Sequence, residues 1–355
     1  MKIIYFFTKY NLTGASSRYR TFQYLESYKN EGYKCIIKPL FSNEYIHLLN
    51  KGERSILDIF NSYRKRMVDI LLLRNEIVFI EYELFPYLPP VFEYVLKFNN
   101  CKIILDYDDA IFHNYDNGKK IVTKFLKNKI PSILKIADSV ITGSPYLTQF
   151  CSKYSKKVVE IPTSIDYNKY FNAEPNNQLK KEFNIGWIGS KTTSVNILSI
   201  KDAFIKFGKN YNYKLSLIGF DKLLESELRE VNYEIIEWHS STEVDEISKF
   251  DVGIMPLEFN DFNNGKCGFK LIQYMAVGIP TISTPLEANV KINRSNNNLF
   301  ANGIEEWVNS FVDVYNNKGH YYEVGMKNRL IVREYYSIQS NYKKYINEFD
   351  RLSRE

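Results

Sequence analysis

Along most of the chain, short apolar runs of strand length alternate with longer stretches of helical period. The first set comprises KIIYFF (2–7), KCIIKPLF (34–41), EIVFIEYE (76–83), KIILDYD (102–108), SVITGS (139–144) and VVEIPTS (158–164). β-branched and aromatic residues dominate these runs, and such runs separated by helices predict a parallel sheet buried on both faces. The rhythm fails at NKYFNAEPNNQLKKE (168–182), which is polar and carries Pro175, so 171–182 reads as a linker. It resumes with NIGWIGS (184–190), KLSLIGF (214–220), YEIIEW (233–238), DVGIMPL (251–257) and PTISTP (280–285). The pattern predicts an α/β chain of two Rossmann-like lobes, 1–170 and 183–332. Apolar residues at helical spacing over 329–352 predict a terminal helix, placed at 333–355, that packs back on the first lobe. In doubly wound sheets ligands sit at the carboxyl ends of the strands, so a cleft between two lobes and the loops after the strands are where chemistry is expected.

Composition changes this picture little. A length of 355 residues suits two domains, and 45% apolar with 25% charged residues excludes a disordered chain. The net charge of +6, from 47 basic and 41 acidic residues, suits an anionic ligand or membrane surface without requiring nucleic acid. Cys35, Cys101, Cys151 and Cys267 are scattered, as are His47, His113, His239 and His320, so neither a zinc site nor a disulfide framework is expected. The start MKIIYFFTKY lacks a cleavage site, and no apolar run approaches the ~18 residues of a membrane span. A cytoplasmic, reduced protein is the expectation.

Four loops carry candidate chemistry. In GKCGFKLIQYMAVGIP (265–280), Gly265, Cys267 and Gly268 would let backbone approach a ligand, while amides near Gly268 and Phe269 point out of a helix start. Lys266 and Lys270, four apart on one helical face, would neutralise a phosphate leaving group, and Gln273 would reach a ribose. NLTGASSRYR (11–20) follows the first strand, with Gly14 for close approach, Ser16 or Ser17 to cap a helix, and Arg18 and Arg20 to meet anionic groups. GWIGSKTT (186–193) offers Gly189, Ser190 and Lys191 to a diphosphate, and Glu287 after STPLE faces the ribose. IILDYDDAIFH (103–113) admits three readings. Asp106 and Asp108 resemble the metal-binding motif of haloacid dehalogenase phosphohydrolases or the Asp-x-Asp of GT-A enzymes; Asp108 and Asp109 would otherwise contact a sugar or its acceptor; or Asp109 only caps the next helix. The phosphohydrolase motif opens its domain, whereas this one follows the fourth strand, and Ala110 replaces the usual Thr or Val.

Two of these segments carry a family resemblance. GKCGFKLIQYMAVGIPTISTP (265–285) resembles the donor-binding segment of GT-B glycosyltransferases of family four, Glu-x7-Glu followed by Ala-Met-Ala-x-Gly-x-Pro. ADSVITGSPYLTQFCSKYSKKVVEIPTSID (137–166) is similar to that family's ADxVIxxS and VxxIPNGVD segments. Gln273 stands for the second Glu, Gly265 for the first, and the lysine pair matches a branch in bacterial surface-polysaccharide synthesis. The resemblance implies a retaining, metal-independent enzyme with no cofactor. It would move a sugar from a nucleotide-sugar donor to a saccharide acceptor, lipid-linked, in polysaccharide (O-antigen, capsule or lipopolysaccharide) assembly. The competing expectations are a magnesium-dependent phosphohydrolase using Asp106 and Asp108, and a sugar-nucleotide-binding protein without turnover.

One further segment, NGKKIVTKFLKNKIPSILKIADS (117–139), sets Lys119, Lys120, Lys124, Lys127, Lys129 and Lys135 among apolar residues, with Pro131 interrupting. That composition predicts contact with an anionic membrane surface.

Overall fold

The structure, a computed structural model, describes residues 2–50, 52–53, 55–116, 121–173, 175 and 182–354. It divides into two compact units. Unit 1 comprises Met1–Ser164, Gly265–Cys267 and Asn341–Glu355; unit 2 comprises Ile165–Asn264 and Gly268–Ser340.

Unit 1 is built on β1 (Lys2–Phe7), β2 (Tyr33–Ile37), β3 (Ile77–Glu81), β4 (Lys102–Tyr107), β5 (Ser139–Thr142) and β6 (Val158–Glu160), all parallel in the order β2-β1-β3-β4-β5-β6. Both sheet faces are covered, so the strands read as continuous apolar runs; every residue of β3 is buried. On one face the core joins Phe7, Val78, Ile80, Ile103, Leu105 and Val140. On the other, Phe6 and Phe79 meet Tyr345 and Phe349 of the last helix, Ile338–Leu352. Those two residues are four apart, one turn, so the helix lays a single aromatic edge on the sheet. Tyr24 and Tyr28 close the same cluster.

One buried ion pair crosses this unit. Arg20, the last residue of the helix Ala15–Arg20, has no exposed side-chain surface and neither has Asp106 of β4. Arg20 Nε donates to Asp106 Oδ2 at 2.9 Å, Nη2 to Oδ1 at 2.5 Å, and Nη1 to the Ile161 carbonyl at 2.8 Å. The fork satisfies both carboxylate oxygens, the geometry a desolvated pair requires.

Unit 2 repeats the plan with β7 (Phe183–Ile188), β8 (Tyr213–Ile218), β9 (Tyr233–Ile236), β10 (Val252–Met255), β11 (Thr281–Ser283) and β12 (Leu299–Phe300), in the order β12-β11-β10-β7-β8-β9. Each apolar run read from the sequence contains or overlaps a strand. Only β12 has no counterpart, because a two-residue edge strand carries no run. The two-sheet α/β plan is thus the one the pattern predicts.

The boundaries differ from the expected ones. The chain changes unit at Ser164/Ile165, not within 171–182, because Ile165 N donates to the Tyr336 carbonyl and Ile338 N to that of Ile165. Tyr167 and Tyr170 are buried in the unit 2 core. Of the expected linker, residues 174 and 176–181 lie outside the described residues. The tail likewise belongs to unit 2 through Ser340, so the return to unit 1 begins at Asn341, not at 333. Among the described residues no helix is long and apolar enough to cross a membrane.

Replacing Asp106 with Ala leaves Arg20 charged and unpaired in the interior, so the variant is expected to lose ~3–5 kcal/mol of stability. Urea titration followed by tryptophan fluorescence and circular dichroism checks this. A variant as stable as the wild type would show that the pair is not structural.

Candidate functional site

In unit 1 the three aspartates after β4 go to three different partners. Asp106 is held by Arg20, which leaves no carboxylate oxygen for nucleophilic attack or metal binding and removes the basis of the phosphohydrolase expectation. Asp108 accepts a short hydrogen bond from Tyr82 Oη. Asp109 takes Lys266 Nζ on both oxygens, at 2.8 and 3.1 Å, so its side chain caps no helix. Among the described residues no group of three or more His, Cys, Asp or Glu is assembled for a metal.

Lys266 is therefore not where a helical reading puts it. Gly268 adopts φ 64°, a left-handed conformation that favours glycine, and the helix begins only at Phe269. Lys266 and Lys270 consequently share no face. Residues 265–267 pack on the turn after β4: Cys267 Sγ lies 3.0 Å from the Asp108 carbonyl, and a Cβ on Gly265 would come within 2.4 Å of Ala110 Cβ. Burial lowers the Lys266 pKa, but the charge and hydrogen bond of Asp109, helped by Asp108, outweigh it and hold the ammonium protonated.

The loop after β1 is also explained largely by packing. A Cβ on Gly14 would strike Tyr10 Cβ at 2.4 Å, and Gly14 itself is the N-cap of Ala15–Arg20. The serines do not cap that helix. Ser16 Oγ lies 3.1 Å from Tyr82 Oη and donates to it, since the one Tyr82 proton goes to Asp108, and Ser17 Oγ donates to Glu81 Oε2 at 2.6 Å. The Arg18 guanidinium lies 4.7 Å from the Tyr19 ring centroid, and Arg20 is internal.

Glu81 is a candidate that the sequence pattern does not single out, because it closes a run that reads only as a strand. It is 1% exposed, and the register pairs it with Asp106 across β3 and β4. Its Oε2 accepts from Ser17 Oγ and from Lys9 N at 3.1 Å, whereas the buried Oε1 has no partner. Burial, reinforced by the charges of Asp108 and Asp106, pushes its carboxyl up to about 7 against the lowering effect of its two hydrogen bonds. The available signal was an acidic pair, Glu81 and Glu83, at the carboxyl end of a strand.

In unit 2, Lys270 lies one residue into the helix Phe269–Val277, with Nζ 4.8 Å from the ring centroid of buried Trp187 and 3.5 Å from Thr193 Oγ1. Trp187 is in β7, and Gly189, Ser190, Lys191 and Thr193 follow that strand; Ser190 forms a capping box over the turn Lys191–Thr193. The helix itself follows β10. Since the chain runs from β7 to one side of the sheet and from β10 to the other, Lys270 and the 189–193 turn stand where strand order reverses, the place where doubly wound folds bind ligands. Phe269 is half-buried against the core, and exposed Glu287 opens the helix Glu287–Ile292. Gln273 points inward: it is 4% exposed, with Nε2 3.4 Å from Tyr170 Oη, which donates to Glu243 Oε1.

No family model and no curated protein matches the sequence. Solved structures do match. Sucrose-phosphate synthase from Thermosynechococcus elongatus is 12% identical with a TM-score of 0.74, covering 100% of both chains. A glycosyltransferase from Rickettsia africae ESF-5 is 14% identical, with a TM-score of 0.69 over 100% of this chain and 99% of that one. HepE from Anabaena, in complex with UDP and glucose, is 9% identical with a TM-score of 0.74, covering 99% of this chain and 100% of that one. At such identities the likeness establishes a shared fold, that of GT-B glycosyltransferases.

The Glu81 shift makes stability pH-dependent with a definite sign. A carboxyl moved from its ordinary value of 4.5 to about 7 contributes stability that is full below pH 4.5 and is lost as pH rises to 7, ~3 kcal/mol in all. Glu81→Gln removes that dependence. The stability of Glu81→Gln relative to wild type is expected to rise by ~2–3 kcal/mol between pH 4.5 and pH 8, read by denaturant titration at both pH values. A constant difference would show that Glu81 ionises normally.

Proposed function

We propose that this chain is a glycosyltransferase that moves a sugar from a nucleotide-sugar donor, held by unit 2, to a saccharide acceptor, held by unit 1. The observation that carries the reading is Lys270, set against Trp187 and Thr193 at the point of strand-order reversal in unit 2. A cation there, next to a serine- and threonine-rich turn, suits a diphosphate whose charge grows as the glycosidic bond breaks. HepE, of the same fold, has been seen with UDP and glucose and with UDP-glucose. Membership of family four rests on the 265–285 and 137–166 segments, and with it come retention at the anomeric carbon and independence of metal. In such transfer the departing phosphate helps deprotonate the acceptor on the same face. Lys266 acts in this scheme by fixing Asp109 beside Asp108, and of these two lysines only Lys270 serves the diphosphate, with Lys191 on the adjoining turn. A lipid-linked acceptor and a role in surface-polysaccharide assembly complete the reading.

Contact with the inner face of the plasma membrane belongs to the same proposal, on a reduced set of residues. Lys119 and Lys120 lie outside the described residues, and Lys129 is 3% exposed in an ion pair with Glu83. Pro131 sits within the helix Lys129–Ile136. Val122, Lys124, Phe125 and Lys127 remain exposed, Phe125 at 85%. An exposed phenylalanine between two lysines matches an anionic lipid surface.

Two outcomes are expected. UDP-sugars should raise the melting temperature by mass action, and transfer should persist in EDTA. Lys270→Ala should then lower kcat by ~2–4 kcal/mol of transition-state stabilisation with little change in donor affinity, measured by steady-state kinetics and calorimetry. Donor binding without transfer to any saccharide would make the chain a binding protein instead. Secondly, binding to phosphatidylserine vesicles should exceed binding to phosphatidylcholine vesicles in sedimentation assays. The double change Lys124→Glu, Lys127→Glu should reduce it at least tenfold, since each basic residue contributes ~1 kcal/mol near such a surface. Equal binding to both lipids would remove membrane contact from the reading.

A further inference from the structure

Unit 1 has its own reversal of strand order. From β1 the chain runs to β2 on one side, and from β3 to β4 on the other, so the segments after β1 and β3 diverge. Between them lies a small cavity of ≈ 40 Å³, lined by Lys9 after β1, by Glu81, Glu83 and Tyr87 at and after the end of β3, and by Asn114 and Tyr115.

The segment after β3 is held in an unfavourable backbone. Tyr82 has φ 62° and Tyr87 φ 61°, both in the left-handed region, where bulky side chains are rare and cost ~1–3 kcal/mol each. Three buried charges hold it there. Arg66 Nη1 donates to the Leu84 carbonyl at 3.1 Å, and its Nη2 donates to the carbonyls of Thr8 and Lys38, bracing the segments after β1 and β3 together. Glu93 accepts from Leu84 N at 3.0 Å, and Lys129 donates to the Phe85 carbonyl while pairing with Glu83. All three side chains belong to residues no more than 3% exposed. Burying charge is costly, and here it orders a short strained loop, as a preformed binding site requires.

What the loop presents is unsatisfied. Glu81 Oε1 is buried without a partner and lines the cavity. Glu83 is neutralised by Lys129 and receives Tyr115 Oη at 2.7 and 2.8 Å, so that wall offers hydrogen bonding with little uncompensated charge. At the rim Tyr87 is 54% exposed, its ring centroid 5.9 Å from that of Tyr115. An aromatic rim over a polar floor suits a ligand with one apolar C–H face and several hydroxyls.

We propose that this cavity is a saccharide subsite: one hydroxyl or hydroxymethyl group of an uncharged sugar enters it and donates to Glu81 Oε1, while the sugar ring rests on Tyr87. Resting on the glycosyltransferase reading, the sugar is the terminal residue of the acceptor. The cavity is large enough for a water, which the entering group replaces.

Saturation-transfer NMR with the methyl glycosides of glucose, galactose, mannose and N-acetylglucosamine tests this, on wild type, Tyr87→Ala and Glu81→Gln. Tyr87 is exposed, so its variant keeps the fold, while Glu81→Gln retains an oxygen for Lys9 N and Ser17. At least one glycoside is expected to bind, at least fivefold more weakly to either variant, with the UDP-induced thermal shift unchanged. Glycoside binding that is equal in all three proteins, or absent from the wild type so that the cavity holds water only, overturns the subsite. If glycosides bind through Tyr87 and Glu81 but no UDP-sugar shifts the melting temperature, the subsite stands and the transfer reading fails.

Discussion

The Arg20–Asp106 pair is the constraint on which unit 1 depends. Asp106 is the last acidic position still inside β4, and its charge is tolerable there only because a planar guanidinium meets both oxygens and is itself satisfied by the Ile161 carbonyl. That one side chain thus ties the helix after β1 to the middle of the sheet and to the segment after β6. Around it the aromatic cluster of Tyr24, Tyr28 and Tyr345 excludes water, which strengthens the pair and joins the returning last helix to the same centre. With the helix after β1 fixed by its final residue, Ser16 and Ser17 at its start are set against Tyr82 and Glu81. Local order in the candidate site therefore derives from a contact one helix length away.

Much of the fold was legible because parallel strands covered on both faces must be apolar throughout, and such runs stand out against helical spacers. Glu81 and Asp106 mark where those runs end at the carboxyl edge. What the pattern does not encode is where a chain changes unit. Ile165 and Tyr336 to Ile338 are more than 170 residues apart, and only their mutual hydrogen bonds assign them together. Side-chain partnership was illegible for the same reason. Lys266 and Lys270 look like one helical pair, and a single left-handed glycine between them sends each to a different unit. Arg18 and Arg20 look equivalent, yet one lies over a tyrosine ring and the other is fully buried.

The two units use one topological device with different chemistry. In unit 2 the reversal between β7 and β10 carries a lysine, a tryptophan and hydroxyls, groups that favour an anion. In unit 1 the reversal between β1 and β3 carries carboxylates, and three of these are neutralised one by one: Asp106 by Arg20, Asp109 by Lys266, Glu83 by Lys129. A site of largely paired carboxylates with no cation to spare does not attract phosphate, and it does not reject a neutral polyol. That division is what the proposed transfer between a charged donor and an uncharged hydroxyl would demand of two binding surfaces.

Glu81, like Asp108, stands outside that neutralised set, and its environment says why it is not paired. A cation beside Oε1 would close the carboxylate as Arg20 closes Asp106, and its charge would oppose the effect of burial. Instead, Asp106 and Asp108 repel its charge, while Ser17 and the Lys9 amide hold only Oε2. The group is thus poised near neutrality with one oxygen left over, in a loop whose backbone strain is stabilised by three buried charges. Packing alone would favour an apolar residue at that position, since desolvating a carboxyl without satisfying it lowers stability. A hydroxyl donor that arrives with a ligand supplies the missing hydrogen bond, so the free energy withheld from folding becomes available to binding.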